Sequence, residues 1–116
     1  MNDLLPKMIT GLPEIDMPVD SITGHLIQGE TTQSIFFLVK AGTHLPEHSH
    51  EAQWGIVIEG TFEITLGDEK TVYTKGQTYF VPAGTLHAGY YVTDVISFDV
   101  FDTPDKFEMK STKKTA

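Results

Sequence analysis

From Ile22 to Phe101 the chain is a series of short β-rich runs, each closed by turn residues, with no helical period sustained long enough to make a helix of ordinary length. The runs are His25 to Gln28, Ser34 to Lys40, Gln53 to Glu59, Phe62 to Leu66, Thr71 to Thr74, Thr78 to Val81, His87 to Val92 and Asp94 to Phe101. Glu59-Gly60-Thr61, Gly67-Asp68-Glu69-Lys70, Pro82-Ala83-Gly84 and Thr93-Asp94 are the turns between them. Spacing of this kind predicts an all-β sandwich or barrel. Ile35-Phe36-Phe37-Leu38-Val39 is apolar at both parities, as a strand covered on both sides must be.

A chain of 116 residues has enough material for one hydrophobic core and too little for two ordinary domains. The barrel is expected over residues 22–102. Residues 1–21, rich in proline, are expected to wrap its edge or pair with a neighbouring subunit, and residues 103–116 to form a partly ordered polar tail. There is no cysteine, which removes disulfides, thiolate ligands and a thiol nucleophile together. No stretch has the length and apolarity of a signal peptide or a membrane span, so a soluble cytoplasmic protein is expected. Net charge is −8 and every basic residue is a lysine. Apart from Lys110, Lys113 and Lys114 there is no cationic cluster, which argues against nucleic acid and anionic membrane as partners. Without arginine, an anionic substrate has only lysine or a metal to grip it.

Three of the five histidines point to such a metal. Alternate residues of a strand share a face, so His48 and His50 can offer two imidazoles to one ion, and His87 can supply a third. Neutral imidazole suits zinc, copper, iron and nickel, and three such ligands with open positions are the mark of catalytic rather than closed structural sites. His25 and His44 stand alone and are expected to be ordinary polar residues, although His44 precedes a loop from which it could reach a substrate.

The surrounding residues extend the pattern. Gly42, five residues, His48-Ser49-His50 and then Gly60 form one motif; Gly76, five residues, Pro82-Ala83-Gly84, two residues and His87 form a second. Together they resemble the cupin family over about residues 34–101. The resemblance implies a double-stranded β-helix, or jelly-roll barrel, holding one divalent transition metal per chain: zinc, nickel, iron or manganese. Where the first motif commonly has a glutamate ligand this chain has Gln53, and the usual final asparagine of the second falls on Tyr91. The resemblance makes Gln53 the fourth ligand, although strand parity sets it on the opposite face from His48 and His50 unless a turn intervenes. Glu51, which more simply points to solvent, is the fallback.

Asp99 interrupts the apolar strand Val95-Ile96-Ser97-Phe98-Asp99-Val100-Phe101. A carboxylate there must be paired, raised in pKa or turned into a polar cavity. Parity groups it with Ser97 and Phe101 and makes it the expected proton-handling residue of a metal-lined lumen. Trp54, Phe80, Tyr90, Tyr91 and Phe101 are the aromatic candidates for lining that lumen; Tyr91 shares the parity of His87, so Tyr91 and Phe101, with His44, are the expected substrate contacts. Asp99-Val100-Phe101-Asp102-Thr103-Pro104 also resembles the ending of small cupins that linearise unsaturated uronates, a group with an arginine just after the proline where this chain has Asp105 and Lys106. The resulting expectation is a metal-dependent enzyme, of isomerase or lyase type, acting on a small polar or carbohydrate-derived molecule. Fe(II)-type dioxygenase chemistry and a non-catalytic ligand- or metal-binding module are the alternatives. A homodimer is expected, because a small barrel with an apolar sheet face and an exposed edge gains from covering both.

Overall fold

The computed structural model describes residues 4–110. After a one-turn helix α1 (Lys7–Thr10) the chain forms nine strands: β1 (Ile22–Gln28), β2 (Gln33–Val39), β3 (His44–His48), β4 (Gln53–Glu59), β5 (Thr61–Leu66), β6 (Glu69–Thr74), β7 (Thr78–Val81), β8 (His87–Tyr91) and β9 (Val95–Phe101). They build two antiparallel sheets, one in the order β1-β2-β9-β4-β7 and the other β3-β8-β5-β6. This is the expected jelly roll.

The inner faces meet on a core of Ile22, Val39, Val57, Phe62, Ile64, Tyr79, Tyr91 and Val95. A second cluster, Ile15, Leu26, Ile35 and Phe101, fills the end nearest β1, with Phe37 and Phe107 packed against it. Parity predicts these sides well. On β9, Ser97, Asp99 and Phe101 are buried while Phe98 and Val100 are half-exposed.

β3 was not among the expected runs. Its sequence, His44-Leu45-Pro46-Glu47-His48, lacks an apolar alternation and contains a proline; as the edge strand of its sheet it can spare the backbone donor that proline lacks. β1 also runs further back than the pattern indicates, through Gly24 to Ile22.

The two ends of the described chain are built into the barrel. Glu14 bridges His25, and Ile15, 1 % exposed, bridges Met109, so the N-terminal arm lies against its own barrel and against the C-terminal segment. His25 is buried, with Nδ1 3.2 Å from the Leu12 carbonyl, far from any metal ligand role. Residues 103–110 do not trail away: Thr103 is buried, and Phe107 packs edge-on against Phe37 and Phe101. Lys113 and Lys114 lie outside the described residues. No described helix is long and apolar enough to cross a membrane.

Candidate metal centre

On β3, His44 stands opposite Tyr90, Leu45 opposite Gly89, and His48 opposite His87. One extra residue is therefore accommodated between Leu45 and His48. In a regular strand His44 and His48 would share a face; this bulge turns His48 inward with Leu45 and leaves His44 outside. His44 is exposed on the outer face of its sheet near Glu63 and Lys70, so the expectation that it touches substrate is corrected. Trp54, Phe80 and Tyr90 are likewise exposed on outer faces rather than lining the lumen.

The candidate ligand atoms of His48, His50 and His87 lie within 4.8 Å of one another, with ring centroids 4.2 to 5.2 Å apart. Each ring is oriented by its own neighbourhood in the chain. Nδ1 of His48 is 2.7 Å from the Pro46 carbonyl, Nδ1 of His50 is 2.6 Å from that of Glu51, and Nδ1 of His87 is 2.8 Å from that of Thr85. A carbonyl only accepts, so each Nδ1 carries a proton and Nε2 is the nitrogen left to ligate. Desolvation, reinforced by neighbouring imidazoles and Lys106, holds His50 and His87 below the usual histidine range and favours the neutral, ligating form. Three convergent imidazoles suit a transition metal.

Gln53 reaches the cluster from the other sheet. Residues 49–52 carry the chain across from β3 to β4, so the parity conflict noted from the sequence does not arise. Gly84, at φ 73°, turns the chain so that its N–H donates to the His50 carbonyl at 2.9 Å, pinning that crossover beside the turn that leads to His87. Gln53 Nε2 donates to Asp99 Oδ1 at 2.9 Å, a bond that engages the amide nitrogen and not the oxygen. Glu51 is exposed and is not among the clustered donors.

Asp99, 1 % exposed, takes three hydrogen bonds: Gln53 Nε2 and the Tyr79 hydroxyl (2.5 Å) donate to Oδ1, and the Ser97 hydroxyl (2.7 Å) to Oδ2. Burial pushes its pKa up to about 6 in spite of those donors. Gly55 makes the arrangement possible, because a Cβ there would collide with both the Tyr79 ring and the Asp99 carboxyl. Tyr79 was missed from the sequence, although the alternation of Thr78-Tyr79-Phe80-Val81 marks it as inward-facing.

His48, His50, Gln53 and Asp99 open onto a cavity of about 160 Å³, with Tyr91 and Phe101 on its wall. Lys106 and Phe107 also line it. The Lys106 ammonium lies 5.6 Å from the Phe101 ring centroid and 5.2 Å from that of Phe107, and desolvation lowers its pKa while Glu51 partly restores it.

The family model for the cupin domain matches residues 35–101, from the second strand to the last. This chain belongs to the cupin family. Among solved structures, this cupin is similar to KdgF from Halomonas sp. (TM-score 0.70, 23 % identity, covering 79 % of this chain and 86 % of that one). It is equally similar to an RmlC-like cupin from Shewanella frigidimarina (TM-score 0.71, 23 % identity, covering 81 % and 86 %). At that identity the likeness speaks for the fold. By sequence, this cupin is 38 % identical over 61 residues to the xanthan biosynthesis protein XanB of Xanthomonas campestris, covering 51 % of this chain and 13 % of that protein. What the cupin shares with XanB is thus about one eighth of the larger protein's length.

Proposed function

We propose that this cupin is a metal-dependent enzyme of isomerase or lyase type that moves a proton on a small anionic, carbohydrate-derived molecule. One observation carries the reading: the buried carboxyl of Asp99 lines the same cavity as His48 and His50, whose rings converge with that of His87. Titratable groups buried in this way beside a ligand-sized opening are typical of acid–base sites. His48, His50 and His87, with the Gln53 amide oxygen beside them, would hold a divalent ion, which would supply Lewis-acid polarisation of a substrate oxygen. Asp99 then takes or returns the proton at the neighbouring carbon. Tyr79, Ser97 and Gln53 fix its two oxygens, so little reorganisation is needed when its charge changes. Lys106 supplies the one lysine on the wall and suits a carboxylate on the substrate. The cavity is smaller than the roughly 300–1,000 Å³ of sites for drug-sized ligands, in keeping with a single small unit rather than a polymer. The resemblance of the Asp99 to Pro104 segment to uronate-linearising cupins supports the same substrate class.

The test begins with elemental analysis of protein purified without a histidine tag. The metal found is then restored and small unsaturated uronates and 2-keto acids are offered in D₂O. Solvent deuterium entering the carbon next to a carbonyl, with no oxygen consumed, is the expected result. Oxygen uptake without exchange would establish dioxygenase chemistry instead, and tight binding without turnover a ligand-capturing module.

Two copies are expected to pair through the outer face of the five-stranded sheet. Phe36 and Phe98 meet there with centroids 4.6 Å apart, and Trp54 and Phe80, cross-strand partners, are 40 % and 58 % exposed. For chains each carrying −8, an uncharged aromatic face is where association costs least repulsion. Light scattering at micromolar concentration should give the mass of two chains; the mass of one would overturn the pairing.

A further inference from the structure

Residues 103–110 cross the mouth of the cavity as a strap, and the strap is fastened on both sides of Lys106 by two glutamines of the β1–β2 hairpin. Gln33, 1 % exposed, takes Phe107 by both backbone groups: its Nε2 donates to the Phe107 carbonyl at 3.0 Å, and the Phe107 N–H donates to its Oε1 at 2.9 Å. The same amide nitrogen also donates to Gln28 Oε1 at 2.9 Å. That bond leaves the Gln28 nitrogen facing the strap, where it donates to the Pro104 carbonyl at 2.8 Å. Gln28 and Gln33 are register partners that close the hairpin, so the clamp sits on a rigid support.

A primary amide buried this deeply is costly unless fully paired, and Gln33 uses both its oxygen and its nitrogen on the strap and on Gln28. Core packing at this position would be served more simply by an apolar side chain. What the amides provide instead is a fixed path for the backbone at Pro104 and Phe107. Between those points the strap presents Lys106, whose long flexible side chain would otherwise lose more entropy on meeting a ligand.

We propose that Gln28 and Gln33 are positioning residues, an amide clamp that holds the Lys106 ammonium at the cavity mouth and so sets the affinity for a carboxylate ligand that neither glutamine touches. The inference rests on the anionic-substrate reading above. It separates from that reading because it predicts coupling between the clamp and Lys106.

The experiment titrates malonate into the zinc-loaded full chain by calorimetry at low ionic strength, with zinc content measured for each variant. Lys106→Met should weaken malonate binding about tenfold, as loss of a charge-assisted contact does. Gln33→Ala should weaken it by about threefold to tenfold and Gln28→Ala by about twofold to threefold, with zinc retained. In the Lys106→Met background neither glutamine change should weaken it further, since both act through the lysine. Parent-like binding in the glutamine variants, with Lys106→Met weakened, would overturn the clamp and leave the substrate reading standing. Equal losses with and without Lys106 would show that the glutamines only support the fold. Parent-like binding in Lys106→Met would remove the substrate reading and the clamp together. Should Gln33→Ala fail to fold, Gln28→Ala, which alters an exposed amide, carries the same comparison.

Discussion

The double variant His48→Ala, His50→Ala is expected to lose stoichiometric metal while keeping a β-type circular dichroism spectrum. Four-ligand structural zinc sites bind with about 10–16 kcal/mol, or roughly 3 kcal/mol per ligand, so removing two imidazoles should weaken affinity by about 10⁴-fold. The fold should survive, because neither ring belongs to the two buried clusters and both stand half-exposed at the mouth of the barrel. His87→Ala should also release the metal, though at some cost in packing, since that ring is buried. Elemental analysis after dialysis against a weak chelator decides the matter. A full equivalent of metal retained by the double variant would mean that the ion sits elsewhere.

Asp99→Asn is expected to keep metal and fold but to lower turnover by about 10² to 10⁴, the usual contribution of a positioned acid or base. Asparagine keeps the planar shape of the carboxyl and an oxygen for the Tyr79 and Gln53 donors, while the Ser97 hydroxyl can rotate to accept from the new NH₂. What disappears is the proton. Linkage provides a second readout on metal-free protein. Burial raises Asp99 from 3.8 to about 6, so between those values the folded state binds more protons than the unfolded chain, and this group's contribution to stability is lost as pH rises across that window. The asparagine variant lacks that dependence. Relative to the parent, its stability in urea should therefore improve from about pH 4 to about pH 6. An unchanged turnover number would assign Asp99 a structural role only.

Most of the barrel was legible because inward residues of a two-sheet sandwich are mostly apolar at every second position; β2, β4 and β9 follow that rule except where Gln33, Gln53, Ser97 and Asp99 turn polar groups inward. The histidine cluster was legible for a different reason: two ordered motifs place its members by spacing, whatever the strands between them do. Three features were not. β3 hides behind Pro46 and its charged neighbours, and its bulge reverses the orientation of His44 that alternation would give. Gln53 seemed misplaced because parity holds only along one strand, whereas residues 49–52 pass from one sheet to the other. The strap was read as a tail because its anchors are side-chain amides of Gln28 and Gln33, distant in sequence and invisible to any local pattern. Polar residues that bond backbone across long sequence separations leave no periodic trace.

The split origin of the centre has a mechanical consequence. His48 and His87 hang from the four-stranded sheet, while Gln53 and Asp99 hang from the five-stranded one, so the residues of the proposed centre span the seam at the open end of the sandwich. Anything bridging those side chains rivets two layers that elsewhere are joined by apolar packing and connecting loops. Prying the layers apart and losing the bridging ligand are then one event, and by mass action each tenfold of ligand above its dissociation constant adds about 1.4 kcal/mol against that opening. A filled centre would thus restrain how readily the barrel opens along its seam.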